Sequence, residues 1–180
     1  MKSLCIVHTE SSLEWTTRQS RIIAEAQALI GRGHEVRILC PPGSRILAEA
    51  APSLVPALAL PIARKRPVGV KVLYEWFKRN RCDVLSTHGA TDAWLAALAL
   101  LALGRPFATV RTRHDAVRVP RNAPTRWLYL RATARVVCTD EACRKELIER
   151  NGFPAHRVDA VPDGAGMAGR MEEIYRSVAR

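Results

Sequence analysis

The stretch that decides the fold is DVLSTHGATDAWLAALALLALG, residues 83–104. Its beginning, 83–86, predicts a short buried strand. Thr91 and Asp92 predict the N-cap of a helix, and the apolar run that follows ends at Gly104. A strand that leads through a short polar loop into a helix is half of a βαβ unit.

The same alternation continues in both directions along the chain. It predicts strands over residues 4–8, 36–40, 55–60, 83–86, 107–112, 135–139 and 157–161. Helices are predicted between them, among others over 45–51, 68–80, 124–132 and 141–150. The pattern favours an α/β fold, a doubly wound, mostly parallel sheet of about seven strands with helices on both faces. Strand 55–60 is flanked by prolines and suits an edge of this sheet.

Length and composition limit the class of protein. A chain of 180 residues with 48% hydrophobic residues is long and apolar enough for one well-buried domain, which excludes a disordered chain. The apolar run 93–103 is shorter than the roughly 20 residues that span a bilayer. The five cysteines include no Cys-x-x-Cys pair and indicate neither a disulfide framework nor a zinc site. We therefore expect a cytoplasmic protein with no metal ion and no cofactor.

The net charge of +11 is concentrated in two segments. Residues 64–81 carry +6 and residues 105–135 carry +7, whereas the other residues sum to −2. Such clustering favours a localised anionic partner, which could be phosphate, an anionic lipid surface or nucleic acid. Solvated arginines on helix faces are the alternative.

Ligands of doubly wound sheets bind beyond the carboxyl ends of the strands. The polar residues at these ends of the predicted strands are therefore candidates for a binding site. They are Thr9, Glu10, His88, Gly89, Arg113, His114, Thr139 and Asp140.

Five segments resemble the amino-terminal domain of GT-B-fold glycosyltransferases, specifically the retaining enzymes of family 4. The segments are residues 8–12 (HTESS), 31–36 (GRGHEV), 83–88 (DVLSTH), 111–114 (RTRH) and 134–139 (ARVVCT). Each motif is short, and the resemblance runs from about residue 2 to residue 164. It implies the acceptor-side half of an enzyme that transfers a sugar from a nucleotide-sugar to a glycolipid or polysaccharide acceptor.

The resemblance also implies a domain organisation. Enzymes of this family carry a second Rossmann-like domain that binds the donor through an acidic E-x7-E element, and no segment after residue 164, where that domain would begin, contains one. We expect residues 1–164 to form the first domain, 165–169 to be a short linker in place of the second, and 170–180 to be a terminal helix that packs back on the domain. The sequence thus predicts a truncated half-enzyme, engineered or naturally minimised, without turnover of its own. A short independent protein with a chance helical tail is the alternative.

Individual residues acquire roles from the same resemblance. His114, followed by Asp115, resembles the histidine that lies near the acceptor and the anomeric carbon, where an imidazole orients substrate or assists proton movement. His88 is the second candidate. Thr16 and Thr17 stand where the family usually has paired glycines for the donor phosphate, although both could simply cap a helix.

Arginines are frequent around His114. The guanidinium fork suits a phosphorylated or lipid-linked anionic acceptor. The arginines predicted to bind it are Arg111, Arg113, Arg118 and Arg121.

Other partners are predicted from charge and exposure. The basic loop 64–66 and helix 68–80 could lie on the inner face of an anionic membrane, although the apolar residues of such a helix more often pack in the core. The surface that a second domain would cover favours a homodimer. Nucleic acid is the less favoured partner because the sequence has no recognition motif. The competing hypothesis is a basic Rossmann-like module that binds nucleic acid or another anionic ligand without catalysis.

Overall fold

The computed structural model describes residues 2–114 and 118–179. These residues form a seven-stranded sheet in the order β3-β2-β1-β4-β5-β6-β7, and each strand runs parallel to its neighbours. The strands are β1 (Cys5–Thr9), β2 (Glu35–Cys40), β3 (Ala57–Ala59), β4 (Val84–Thr87), β5 (Ala108–Arg113), β6 (Arg135–Cys138) and β7 (Val158–Ala160). The predicted doubly wound α/β fold is confirmed, with β3 at one edge as its prolines indicated.

Helices cover both faces of this sheet. They are α1 (Thr17–Gly31), α2 (Arg45–Ala50), α3 (Pro67–Arg79), α4 (Ala90–Ala102), α5 (Ala123–Leu130), α6 (Glu141–Lys145) and α7 (Met167–Val178). The helix predicted over 141–150 is interrupted, because α6 continues as a π-helical turn over Glu146–Arg150. Within the part of the chain that the structure describes, no helix is both long and apolar enough to cross a membrane.

The core is divided between the two faces because successive strand residues point to opposite sides. The face covered by α1, α2 and α7 receives Ile6, Ile38, Val84 and Val110. The face covered by α3 and α4 receives Val7, Leu39 and Leu85. This alternation leaves His8 and Ser86 on the α7 side of the sheet, next to the carboxyl ends of their strands.

The helix after β4 begins earlier than the sequence predicts. Helix α4 starts at Ala90 behind an N-cap at Gly89, so the prediction that Thr91 and Asp92 cap it is wrong. Asp92 is buried in the first turn, and its carboxylate accepts hydrogen bonds from side chains of the β1 loop instead. A Cβ atom at Gly89 would collide with Asp92 Oδ1, so glycine permits this close approach.

Helix α7 packs against α1. It starts at Met167, inside the stretch predicted to be a linker, and it follows Gly166, whose φ of 92° suits glycine. The side of α7 that faces the core carries Met171, Ile174 and Tyr175, which are buried. The chain after β7 therefore completes the core on this face.

Candidate functional site

Three histidines meet at the carboxyl ends of β1, β4 and β5, which are adjacent in the sheet. His8 Nδ1 lies 2.9 Å from His88 Nε2, and His88 Nδ1 lies 2.9 Å from His114 Nε2. The ring centroids are 5.2 Å and 5.1 Å apart. His8 is fully buried and His114 is half-buried, so the row leads from the core to the surface.

Burial keeps these imidazoles neutral. It lowers the pKa of His8 to about 3 and lowers the pKa of His88 well below its usual range. The pKa of His114 also falls to about 3, because burial acts together with the positive charges of Arg21 and Arg18. Each ring therefore carries one N–H and one lone pair near neutral pH.

A cavity of about 300 Å³ opens beside His114. Its cationic lining consists of Arg18, Lys65, Arg111, Arg113 and Arg118, and His88, His114, Trp94 and Tyr129 also border it. No carboxylate lines this cavity among residues 2–114 and 118–179. The cavity therefore suits an anionic ligand.

Two of these arginines are held in place by neutral groups. Arg111 Nη1 donates to the Gly89 carbonyl at 3.1 Å, and its guanidinium lies 5.0 Å from the ring centre of Tyr129. Arg113 Nη1 donates to the Tyr129 hydroxyl at 2.9 Å. Arg111 Nε is buried and has no hydrogen-bond partner in the part of the chain that the structure describes. Arg111 thus carries one buried donor that no described group satisfies.

Two carboxyl groups lie behind the cavity. Burial, with the nearby charge of Asp92, raises the pKa of Glu10 to about 7. Glu10 Oε1 accepts from the Ser12 amide at 2.8 Å and lies 3.8 Å from Arg18 Nη1. Burial also raises the pKa of Asp92, whose Oδ2 accepts from the His88 amide at 3.1 Å. Asp92 therefore fixes the backbone at His88.

The two threonines before the first long helix form its N-terminus. Thr16 is the N-cap of α1, and its Oγ1 accepts from the Arg18 amide at 3.3 Å. Gln19 Oε1 in turn accepts from the Thr16 amide at 2.9 Å, which completes a capping box. Thr17 is the first helical residue and is exposed. In this structure the amides of Arg18, Gln19 and Ser20 bond to Thr16.

Some of the residues selected from the sequence line the cavity, and others lie outside it. The cavity includes His88, His114, Arg111, Arg113 and Arg118. Outside its lining are Glu10, Thr16, Thr17, Arg121, Thr139 and Asp140. Asp140 caps α6 through a 2.7 Å bond from the Cys143 amide, and Arg121 is exposed. Asp115 lies outside the described residues.

Other members of the site were not selected from the sequence. Lys65 reaches the cavity from the loop before α3, Trp94 from α4 and Tyr129 from α5. Helix α7 contributes from the other side, because the Tyr175 hydroxyl lies 3.0 Å from Ser86 Oγ and 2.5 Å from Glu25 Oε1. Lys65 belongs to the basic loop 64–66, which the sequence indicates for another role. The other residues belong to no local motif, so only the folded arrangement reveals them.

Comparisons with known proteins agree with the fold. The profile described as Glycosyltransferase Family 4 matches residues 19–165. A glycosyltransferase from Rickettsia africae is 17% identical with a TM-score of 0.75, and the match covers 91% of this chain and 44% of that one. HepE from Anabaena, solved with UDP and glucose, is 13% identical with a TM-score of 0.71, and the match covers 89% and 45%. The chain thus spans about half the length of these structures.

A further structure matches over nearly its whole length. It is a sucrose-phosphate synthase chain from Thermosynechococcus elongatus, named with the ranges 27–220 and 406–426. It is 16% identical with a TM-score of 0.63, and the match covers 96% of this chain and 97% of that one. No curated protein sequence matches.

Proposed function

The chain belongs to glycosyltransferase family 4 and has the Rossmann-like fold of a GT-B half, and from this premise we propose that it is the acceptor-side domain of a sugar-transferring enzyme. The donor in this proposal is a nucleotide-sugar, and the acceptor is an anionic glycolipid or polysaccharide. The solved HepE structure with UDP and glucose supports the donor class. The cationic cavity beside His114 supports the acceptor class.

The cavity is the observation that carries the proposal. Five cationic side chains line a cavity of about 300 Å³, and the buried Nε of Arg111 has no partner among the described residues. A phosphate group can accept hydrogen bonds from several such donors at once. Trp94 and Tyr129 add aromatic faces on which a sugar ring can pack.

Binding of inorganic pyrophosphate tests the cavity directly. Calorimetry should show salt-dependent binding that Arg111→Gln weakens about tenfold or more, because one charge-assisted hydrogen bond and one positive charge are lost. Arg118→Gln is a second variant, since this exposed side chain lines the cavity without supporting the core. Arg79→Gln is the control, because Arg79 pairs with Glu75 on α3, away from the cavity. Equal affinities for all three variants would contradict the proposal.

We further propose that the 180-residue chain shows no turnover by itself. Stabilising the leaving phosphate in the transition state requires donors arranged around it in an enclosed site. At the helix end, the Arg18, Gln19 and Ser20 amides already bond to Thr16, so few donors are left for a nucleotide diphosphate. Calorimetry with UDP-glucose should show weak binding at most. Micromolar affinity together with glucose release would refute this part of the proposal.

A lipid-linked acceptor agrees with an apolar groove next to the cavity. The groove, of about 780 Å³, runs between α3 and α4 and shares Lys65 and Trp94 with the cationic cavity. Val70, Leu95 and Leu98 lie along it, while its basic rim consists of Lys65, Arg66 and Lys71. In this proposal the protein acts in the cytoplasm and binds peripherally to the inner membrane face. Vesicles with an anionic lipid should sediment the chain, and vesicles of neutral lipid should not.

Self-association is a separate proposal. Leu13 and Trp15 lie exposed in the loop after β1, at the edge where strand ends meet. Exposed apolar side chains at this edge favour a homodimer. Light scattering should show a mass that rises from one chain toward two with concentration. A mass of one chain at the highest soluble concentration contradicts the dimer.

The competing function is a non-catalytic module for nucleic acid or another anionic ligand. The net charge of +11 is the observation that favours it. Fluorescence anisotropy with duplex DNA and single-stranded RNA separates the two proposals. Tight binding that Arg79→Gln weakens as much as Arg111→Gln would favour a diffuse nucleic-acid surface over the acceptor cavity.

A further inference from the structure

The ring nitrogens of the three histidines constrain one another. A hydrogen bond between two neutral imidazoles needs an N–H on one ring and a lone pair on the other. His88 makes such contacts at both nitrogens, each at 2.9 Å. Because a neutral ring has one proton, His88 donates in one contact and accepts in the other.

Two proton arrangements satisfy both contacts. In one, all three rings carry the proton on Nδ1, and in the other all three carry it on Nε2. Any mixed set brings two hydrogens or two lone pairs together at 2.9 Å. At the inner end of the row, His8 Nε2 is buried without a hydrogen-bond partner among the described residues. No described group at that end therefore fixes the tautomer of His8 separately from those of His88 and His114.

We propose that His8, His88 and His114 form one tautomeric unit, in which His8 and His88 are positioning residues that determine which nitrogen of His114 carries the proton. His114 Nε2 is engaged by His88, so Nδ1 is the nitrogen that a ligand of the cavity can bind. One arrangement offers this ligand an N–H, and the other offers a lone pair. The meaning of this choice for a sugar acceptor rests on the proposed function.

Burial keeps all three rings neutral, as the unit requires. The nearby positive charges of Arg21, Arg18 and Arg111 also oppose protonation of His114. Ser86 Oγ lies 3.4 Å from His88 Nε2, and a hydroxyl can donate to a lone pair or accept from an N–H there. Ser86 therefore permits both arrangements.

Nitrogen NMR of the full 180-residue chain, labelled with ¹⁵N and free of ligand, tests the unit. The fraction of the Nδ1–H form should be equal in His8, His88 and His114. His34 is a control in the same spectrum, because its Nδ1 accepts from the Leu4 amide at 3.1 Å, independently of the row. Unequal fractions among the three histidines would overturn the proposal.

A variant identifies the ring that transmits the coupling. His88→Gln should make the fractions at His8 and His114 unequal, whereas the matched control His34→Gln should leave all three equal. Fractions that stay equal in folded His88→Gln would overturn the role of His88. If His88→Gln fails to fold, equality in the unsubstituted chain still decides the proposal. Because no ligand is present, failure here is distinct from failure of pyrophosphate binding.

Discussion

The two faces of the sheet differ in how completely they are covered. On one face α1, α2 and α7 enclose the core, and Met171 and Tyr175 of α7 are fully buried. On the other face, Leu98 of α4 stays 43% exposed in the groove between α3 and α4, and Leu101 of the same helix is 49% exposed. We infer that the first face mainly provides stability, and that the second keeps apolar surface for a partner.

Deletion of α7 should produce the largest change. Removing residues 167–180 takes away the buried side chains of Met171, Ile174 and Tyr175, and loss of one such side chain typically costs about 2–5 kcal/mol. Because domains are stable by only about 5–15 kcal/mol, the shortened chain should be unfolded or melt far lower. Circular dichroism during heating measures this. A midpoint within a few degrees of the full chain would contradict the proposed role of the first face.

Stability should depend on pH, because folding shifts the pKa values of buried groups on and near the face covered by α1, α2 and α7. Folding lowers the pKa of His8 and His114 from 6.5 to about 3, so their contribution is full above pH 6.5 and is lost as pH falls toward 3. Folding raises the pKa of Glu10 and Glu25 from 4.5 to about 7, so their contribution is full below pH 4.5 and is lost as pH rises through 7.

For these four groups the two effects cancel between pH 4.5 and 6.5, so stability should be highest across that range. Below pH 4.5 the free energy of unfolding should fall by about 1.4 kcal/mol per pH unit for each additional proton that the unfolded chain binds, and it should also fall between pH 6.5 and 7 as the two glutamates ionise. Urea titrations from pH 3 to 8 measure the profile. His8→Phe should flatten the acid side, and His156→Gln is the control, because His156 lies in an exposed turn. A flat profile across this range contradicts burial of these groups.

Removing a single hydroxyl from the first face should have an intermediate effect. Tyr175→Phe leaves Glu25 without its 2.5 Å hydrogen bond in a fully buried position, which should cost about 1–3 kcal/mol. Tyr74→Phe is the matched control, because Tyr74 on α3 is half-buried beside the groove. Chemical denaturation compares the two. Equal losses of unfolding free energy in the two variants would contradict the inference that the first face is the more completely buried one.

The sequence predicts the sheet well because strand and helix periodicity are local properties. Val84 and Leu85 pack on opposite faces, and both are apolar because helices cover both faces, so this buried strand reads as a short apolar run in the sequence. The candidate site is harder to predict from the sequence. Asp92 stands before an apolar run and therefore looks like an N-cap, but its carboxylate accepts hydrogen bonds from Thr9 and Ser11 at the end of another strand. His8 and Tyr175 are more than 160 residues apart, and their proximity depends on strand order and on α7.

The smallest effect on stability is expected in the groove of the second face. Leu98→Glu places a charge on a side chain that is already 43% exposed, so the free energy of unfolding should change by about 0.5 kcal/mol or less. Sedimentation with anionic vesicles should nevertheless decrease several-fold, because the charge opposes both apolar contact and anionic lipid. Leu54→Glu is the control, as Leu54 is 86% exposed in the turn after α2, on the opposite face. Equal vesicle binding by both variants would show that exposed leucines, not this groove, govern membrane contact.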